Sequence, residues 1–420
     1  MDFIIKQLTP FHGISYLEDY FEQRRKVAIG FSYQSSPWNT KFVVVDFVLT
    51  LQAVNFLYQY FRRFSQLEII IHGDYTTVAC LKREVYFFVA ALCLLSAYIL
   101  HRLYLPLKTK NDPDVLELLH SVLIEQKSSK FIEEQAAIAG LRRFSLVILN
   151  IFNQFGAIIF AFCVTTQIVM VFDLLELGGS RFWASPFYIG VVLITEARFA
   201  LLYAVLYLFA HAHILLATLW IVCLKMISIK LKLLCKLPTR WNCFTGPEMR
   251  HFLTNFKVDL TRTLLLVFSA NRFFSSVLVF FLAINCPLNG ILVSLLILNR
   301  IPLLKACFVG PVALEEFIFI FGIHLLIANV NKKIHRPAVA VLHRIFMEKA
   351  RQMASTTEAT NKMTPQSSTH FKISLLIQAF AFTRKRYGFT YANFGRISLM
   401  AFVRYLLLYS QLLMFVLKMV

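Results

Sequence analysis

Charge is scarce in this sequence: Asp, Glu, Lys and Arg make up 16% of 420 residues, against 58% hydrophobic residues and a mean hydropathy of +0.64. Such a composition excludes an ordinary soluble domain, and the apolar runs reach the roughly 20 residues that cross a bilayer as a helix. Acids are scarcest, 23 against 43 bases, for a net charge of +20. On a soluble protein that excess would point to nucleic acid. Here the bases cluster between apolar runs, where they act as topology signals, and no nucleic-acid partner is expected. Paired cysteines are missing too: the eight present are scattered without a Cys-x-x-Cys spacing, which excludes a disulfide framework or zinc knuckle. They read as packing residues, although Cys286 and Cys307 are spaced so that both reach the outer face, as two buried thiols or as a pair. The lack of any Asn-x-Ser/Thr sequon suits short external loops. No charged-apolar-cleavage pattern precedes Lys41, so no cleaved signal peptide is expected. Without a phosphate-binding glycine loop, a nucleophile elbow or a zinc spacing, neither enzymatic activity nor a cofactor is expected. His211 and His213 come nearest to a metal pair, with His324 or His335 as a third ligand. Their spacing splays them by about 200° on a helix, and no metal site is expected.

What is present is a series of apolar runs. Residues 1 to 40 read as a short amphipathic helix lying on the cytoplasmic face. Span 1 covers about Phe42 to Phe61, with Asp46 as an interfacial acid, and span 2 about Val85 to Leu105. Asp112-Pro113-Asp114 supplies a helix start before a surface helix. Span 3 covers Phe144 to Phe172 and is expected to end at a Gly178-Gly179 turn. Span 4 opens near Phe187 and meets no turn signal until about Lys225, which fits two short spans or, as preferred here, one helix leaving the membrane. Leu264 to Leu298, with Pro287 in its middle, counts as one kinked span 5, and Val312 to Val330 as span 6. The loop after Val330 carries Lys332, Lys333, Arg336, Arg344, Lys349 and Arg351, and so belongs inside. A count of seven spans with the N-terminus inside puts it there; eight would put it outside. Ser355 to Thr369 reads as disordered.

The stretch from Gln378 to Val420 carries the most information. It holds a basic knot (Arg384, Lys385, Arg386), Gly388-Phe389-Thr390, Gly395 and a final apolar run from Ile397 to Leu417. Within that run Arg404-Tyr405, five residues, then Gln411-Leu412 resembles the Thr-Tyr, five hydrophobics, Gln-Phe signature closing the last helix of insect gustatory receptors. Tyr405 and Gln411 match; Arg404 and Leu412 depart. The sequence is similar to the insect gustatory and odorant receptor superfamily over about forty residues, and elsewhere only in architecture. The resemblance implies an all-α, seven-transmembrane, small-molecule-gated ion channel in the plasma membrane of a sensory neuron. It further implies a homo- or hetero-tetramer with receptors of the same family, around a pore lined by the second half of the seventh helix. On that reading residues 1–41 are a cytoplasmic segment and 42–330 six spans whose long helices 4 to 6 project as a cytoplasmic anchor. Residues 331–395 form a basic loop and anchor helix, and 396–420 the pore-lining helix.

Candidate pore and gate residues are then Arg404, Tyr405, Tyr409 and Gln411. A cation inside a span costs about 2.5 to 3.5 kcal/mol on insertion scales and seeks a bundle interior or water. On a helical wheel Arg404 shares a face with Gln411, Met400 and Ile397, while Ser398, Phe402, Tyr405 and Tyr409 form another. If Gln411 lines the pore, Arg404 lines it about 10 Å nearer the cytoplasm. Alternatively, Arg404 hydrogen-bonds to backbone carbonyls or another subunit. Glu196, Arg198 and Tyr203 in span 4 are the candidate ligand-binding residues, with a packing salt bridge as the alternative for the two charges. Asn271-Arg272-Phe273 is expected to organise the anchor, and Glu315-Glu316 forms either an acidic vestibule or a stabilised helix start. Three rivals are a membrane enzyme, which would need clustered His or carboxylates at one membrane depth that the sequence does not show, a non-conducting relative serving as a binding or scaffold subunit, and a G-protein-coupled receptor. The last lacks its Asp-Arg-Tyr and Asn-Pro-x-x-Tyr motifs here.

Overall fold

The computed structural model describes residues 40–62, 88, 90–99, 102, 135–183, 185–236, 246–298, 303–355, 388–391 and 395–419. Almost all are helical: α1 (Thr40–Phe61), α2 (Ala90–Ile99), α3 (Gln135–Trp183), α4 (Pro186–Lys236), α5 (Gly246–Phe280), α6 (Cys286–Ile297), α7 (Leu303–Lys333), α8 (Arg336–Ser355) and α9 (Leu399–Met419). Among the described residues, β geometry is confined to one bridge between Thr390 and Arg396. Among the described residues six helices are long and apolar enough to cross a membrane, and α2 is a shorter apolar helix. The chain is an all-α, polytopic membrane protein. The expected N-terminal helix up to residue 39, the two ends of span 2, the Asp112-Pro113-Asp114 helix and residues 356–369 lie outside the described residues.

Helix boundaries follow local chemistry. The expected turn at Gly178-Gly179 is not made: α3 continues through both glycines to Trp183. Glycine weakens a helix by about 1 kcal/mol relative to alanine but keeps its N–H, so two glycines do not break the ladder. The break falls at Ser185-Pro186, where the Ser185 carbonyl accepts from Tyr188 N (3.1 Å) and Pro186 occupies the first helical position. From there α4 runs unbroken for 51 residues, about 77 Å, far more than a bilayer requires. One long helix is thus what span 4 forms.

The segment around Pro287 also stays helical. Proline has no N–H to offer the carbonyl four residues back, and here a π-helical turn, Phe281–Asn285, absorbs the mismatch. Cys286 N–H reaches the Phe281 carbonyl across that turn, and α6 continues. The segment is thus one continuous helical span, as expected, with a π-turn before Pro287.

Among the described residues two large cores organise the bundle, beside a small cluster of Leu292 and Leu295 on α6 with Ala313 on α7. The larger gathers the ends of α3, α4, α5 and α7 together with α8, around Leu141, Trp220, Phe256, Phe274, Ile327 and Val341. Trp220 is fully buried and stacks on Phe274, with centroids 4.5 Å apart and planes 3° from parallel. Lys230, also buried, lies 3.7 Å from Asp259. Burial pushes the Cys223 thiol up to about 12 and raises that of Cys235, so both stay protonated and inert at neutral pH. Replacing Trp220 by alanine is expected to cost about 3 to 5 kcal/mol. In a detergent thermal-unfolding assay, a loss under 1 kcal/mol would show that this core collapses around the gap.

The smaller core joins α1, α2 and the first half of α4 through Leu49, Phe56, Leu94, Val192, Phe199 and Leu202. Asp46, expected as an interfacial acid, is paired: its carboxylate lies 2.5 Å from Arg102, which also donates to the Tyr98 hydroxyl (3.3 Å). This ties the start of α1 to the end of α2. Elsewhere the apolar surface faces outward, as at Phe47, Leu193, Ile194, Phe268 and Ile318. Such continuous apolar exposure is what lipid solvates.

Candidate functional site

The chain enters α9 through a small hairpin held by two asparagines. Tyr391 N donates to Gly395 O and Ile397 N to Phe389 O, both at 3.0 Å. Gly388 (φ +139°) and Gly395 (φ +130°) occupy backbone conformations that side chains resist. Asn331, buried on α7, donates from Nδ2 to the Phe389 (3.0 Å) and Ile397 (2.6 Å) carbonyls and accepts from Phe389 N (2.8 Å). Arg396 donates to the Asn331 carbonyl. Asn271, on α5, brackets Thr390 by accepting from its N–H (2.8 Å) and donating to its hydroxyl (3.1 Å). The Gly-Phe-Thr element is the part so held, and Asn271 fastens its Thr390 to α5. Burial pushes the Tyr391 hydroxyl up to about 12, so its ring stacks on His324 in the neutral form.

Helix α9 starts where Ser398 caps it, its Oγ accepting from Ala401 N at 3.1 Å. Ile397, expected on the Arg404 face, instead lies before the helix and is fully buried, because the helical wheel does not extend to it. Beyond the cap α9 presents two faces. Tyr405 and Tyr409 are buried against Phe321, at centroid distances of 5.3 and 5.1 Å, and the His324 ring lies 5.2 Å from Tyr405. The Tyr409 hydroxyl donates to Asn289 Oδ1 on α6 (2.7 Å), and Asn289 Nδ2 donates to the Ala313 carbonyl on α7 (2.7 Å). One buried amide thereby links three helices. Gly290 lies beside it, and a Cβ there would meet Leu412 Cδ2 at 3.6 Å, an ordinary van der Waals contact, so the packing of α9 on α6 does not depend on glycine at this position.

The opposite face carries Arg404 and Gln411, both exposed, with Met400. The four candidate pore and gate residues therefore divide: the tyrosines fasten α9 to its own bundle, and Arg404 and Gln411 look away from it. Arg404 lies about 8 Å into a helix about 31 Å long, nearer its start than its middle.

Glu196, Arg198 and Tyr203 are all half-buried on α4. Glu196 and Tyr203, one heptad apart, flank one side of the buried Val192-Thr195-Phe199 stripe, while Arg198 lies about 200° round from Glu196, beside the Phe199 ring at 5.2 Å. The two charges share a depth but not a face. His324 sits between Tyr391 and Tyr405, His335 contacts Arg396, and the side chains of His211 and His213 lie outside the described residues. Cys286 is a buried free thiol beside Tyr405. Asn289 and Asn331 escape a reading of the sequence alone; the available signal is an amide inside or next to an apolar helical run. No protein-family model and no curated protein matches this sequence.

Proposed function

We propose that this chain is a subunit of a small-molecule-gated ion channel of the insect gustatory receptor type, with α9 as the helix that lines the pore. The observation that carries this reading is the division of α9. Of the six candidate spans it is the least covered by its own chain, with 11% of its apolar window buried, and its uncovered face carries Arg404 and Gln411. Lipid is a poor solvent for both groups, so that face is assigned to a water-filled axis shared by subunits. A tetramer then places four Arg404 side chains near one mouth of the pore. The short apolar helix α2 is assigned as the further span that brings the count to seven. The basic end of the bundle, with Lys225, Lys232, Lys236, Lys332 and Arg336, is assigned to the cytoplasm, which puts the N-terminus inside. The plasma membrane of a sensory neuron is the assigned location, and Glu196 with Tyr203 the assigned polar wall of the ligand cavity.

In this scheme the packed arrangement of Tyr405, Tyr409 and Asn289 is the closed gate, and a ligand opens it by binding the open population better. The test is ligand-evoked whole-cell current from cells expressing the chain, with tags at both termini read for accessibility. An internal N-terminus with current supports the channel; an external N-terminus without current supports a G-protein-coupled receptor. Tyr409→Phe removes the donor to Asn289 at about 1 to 2 kcal/mol. It is expected to lower the half-maximal ligand concentration up to about tenfold while leaving the reversal potential unchanged. A displaced reversal potential would place Tyr409 in the pore instead. The second reading, a non-conducting binding or scaffold subunit, is favoured by Arg404, whose charge opposes cation passage.

A further inference from the structure

Where α9 begins, α7 ends and α8 turns back, the three enclose an open cleft of about 940 Å³ with a consistent electrostatic character. Its wall includes Lys332 at the end of α7, Arg336, His343 and Arg344 on α8, and Arg396 from the hairpin. Among the described residues that line it there is no carboxylate. The face of α8 that lines the cleft is opposite the one it buries. Arg336, Val339, Ala340, His343 and Arg344 recur at helical spacing on the cleft side, and Ala338, Val341, Leu342 and Ile345 pack into the core. Beside the cations stand apolar side chains that the chain leaves uncovered: Val339 (45% exposed), Leu399 (48%) and Met400 (63%).

Depth in the membrane connects these two properties. Leu399 opens the apolar window of α9, and Lys332 and Lys333 close α7, so the cleft lies at the level where spans pass into headgroups. A cationic recess at that level, with an apolar rim on its bilayer side, has the chemistry of a site for an amphiphile with an anionic head.

We propose that this cleft binds the phosphate-bearing headgroup of an anionic phospholipid, with Lys332, Arg336 and Arg344 holding the phosphate and Leu399 and Met400 meeting the acyl chains. The headgroup bridges α7, α8 and the start of α9, so it bears on the hairpin that positions the last span. The assignment to the cytoplasmic leaflet rests on the orientation proposed above; the binding itself does not.

The test uses the full-length protein purified in a neutral detergent, titrated with dioctanoyl phosphatidylinositol bisphosphate and followed by thermal unfolding. Dioctanoyl phosphatidylcholine and soluble inositol trisphosphate are run in parallel. The bisphosphate lipid is expected to raise the unfolding temperature saturably, phosphatidylcholine to leave it unchanged, and inositol trisphosphate to bind more weakly for want of chains. Lys332→Gln, Arg336→Gln and Arg344→Gln together are expected to weaken the lipid about a hundredfold, and each alone about fivefold, without lowering the unliganded unfolding temperature. Should the triple variant not fold, the single variants carry the same test. Equal affinity in the variants, an equal response to phosphatidylcholine, or inositol trisphosphate binding as tightly as the lipid would each overturn the proposal. The last outcome would assign the cleft to a soluble phosphate. The assay measures no current, so an empty cleft and a silent channel are separate results.

Discussion

Asn331→Leu is expected to abolish the folded arrangement of the C-terminal hairpin and to destabilise the protein by about 4 kcal/mol. Leucine keeps the branching and the number of side-chain heavy atoms, so the cost comes from lost hydrogen bonds and from methyl groups crowding the hairpin backbone that the amide approaches at 2.6 to 3.0 Å. Asn331 makes three bonds to the hairpin, and without them the Phe389 N–H and the Ile397 carbonyl lose the bonds they make to it. Each such orphan costs about 1 to 3 kcal/mol, whereas the Phe389 carbonyl keeps the bond from Ile397 N. Asn271→Leu is the comparison: Asn271 makes two bonds to Thr390 but is only half-buried, so water replaces part of what is lost and the effect is smaller. Gly388→Ala attacks the same junction from the other side. At φ +139° a side chain is strained, and its Cβ would stand 2.6 Å from Asn331 Oδ1. Thermal unfolding in detergent decides the order. If Asn331→Leu is no worse than Asn271→Leu, the hairpin is held by the packing of Phe389 and Ile397 rather than by the buried amide.

How much of this was legible beforehand depends on which physical rule governs each element. Long apolar runs and the excess of bases after Val330 are bulk properties, so the all-α membrane class and the continuity of α4 are readable without knowing any contact, whereas its run on to Lys236 and the helical form of the basic segment, the end of α7 and α8, are not. Pro287 is readable as a kink because its missing N–H acts locally. Gly178-Gly179 misleads because a glycine's effect is small against the propagation of a long helix, whereas Ser185-Pro186 combines a capping carbonyl with a fixed φ. The Arg102 partner of Asp46 and the roles of Asn289 and Asn331 are long-range. Nothing near Asn331 in sequence identifies Phe389, 58 residues away, as its partner. The split of α9 was half legible: periodicity separates Arg404 and Gln411 from Tyr405 and Tyr409, but only packing tells which face is covered.

That division makes Arg404→Thr the most informative change in the proposed pore. In a tetramer with α9 on the axis, the unmutated chain carries four guanidinium groups near one mouth, which repel cations and attract anions. Removing them is expected to raise cation permeability relative to chloride by at least about tenfold, a barrier change of about 1.4 kcal/mol. In ion-substituted solutions the reversal potential should then move towards the cation equilibrium potential. Arg404→Lys keeps the charge and should leave it in place. Position gives the experiment its second outcome. Arg404 stands about 8 Å from the start of α9, close enough for an arginine to extend its head towards the membrane surface, and a residue so placed contributes little to conduction. Current with an unchanged reversal potential in Arg404→Thr would therefore remove Arg404 from the pore and leave Gln411, about 10 Å deeper, as its polar lining. Silence from both proteins at confirmed surface expression, with a panel of small molecules applied, would favour the binding or scaffold reading. The arginine would then belong to a subunit whose Tyr405, Tyr409 and Asn289 pack α9 against its own bundle without gating a current.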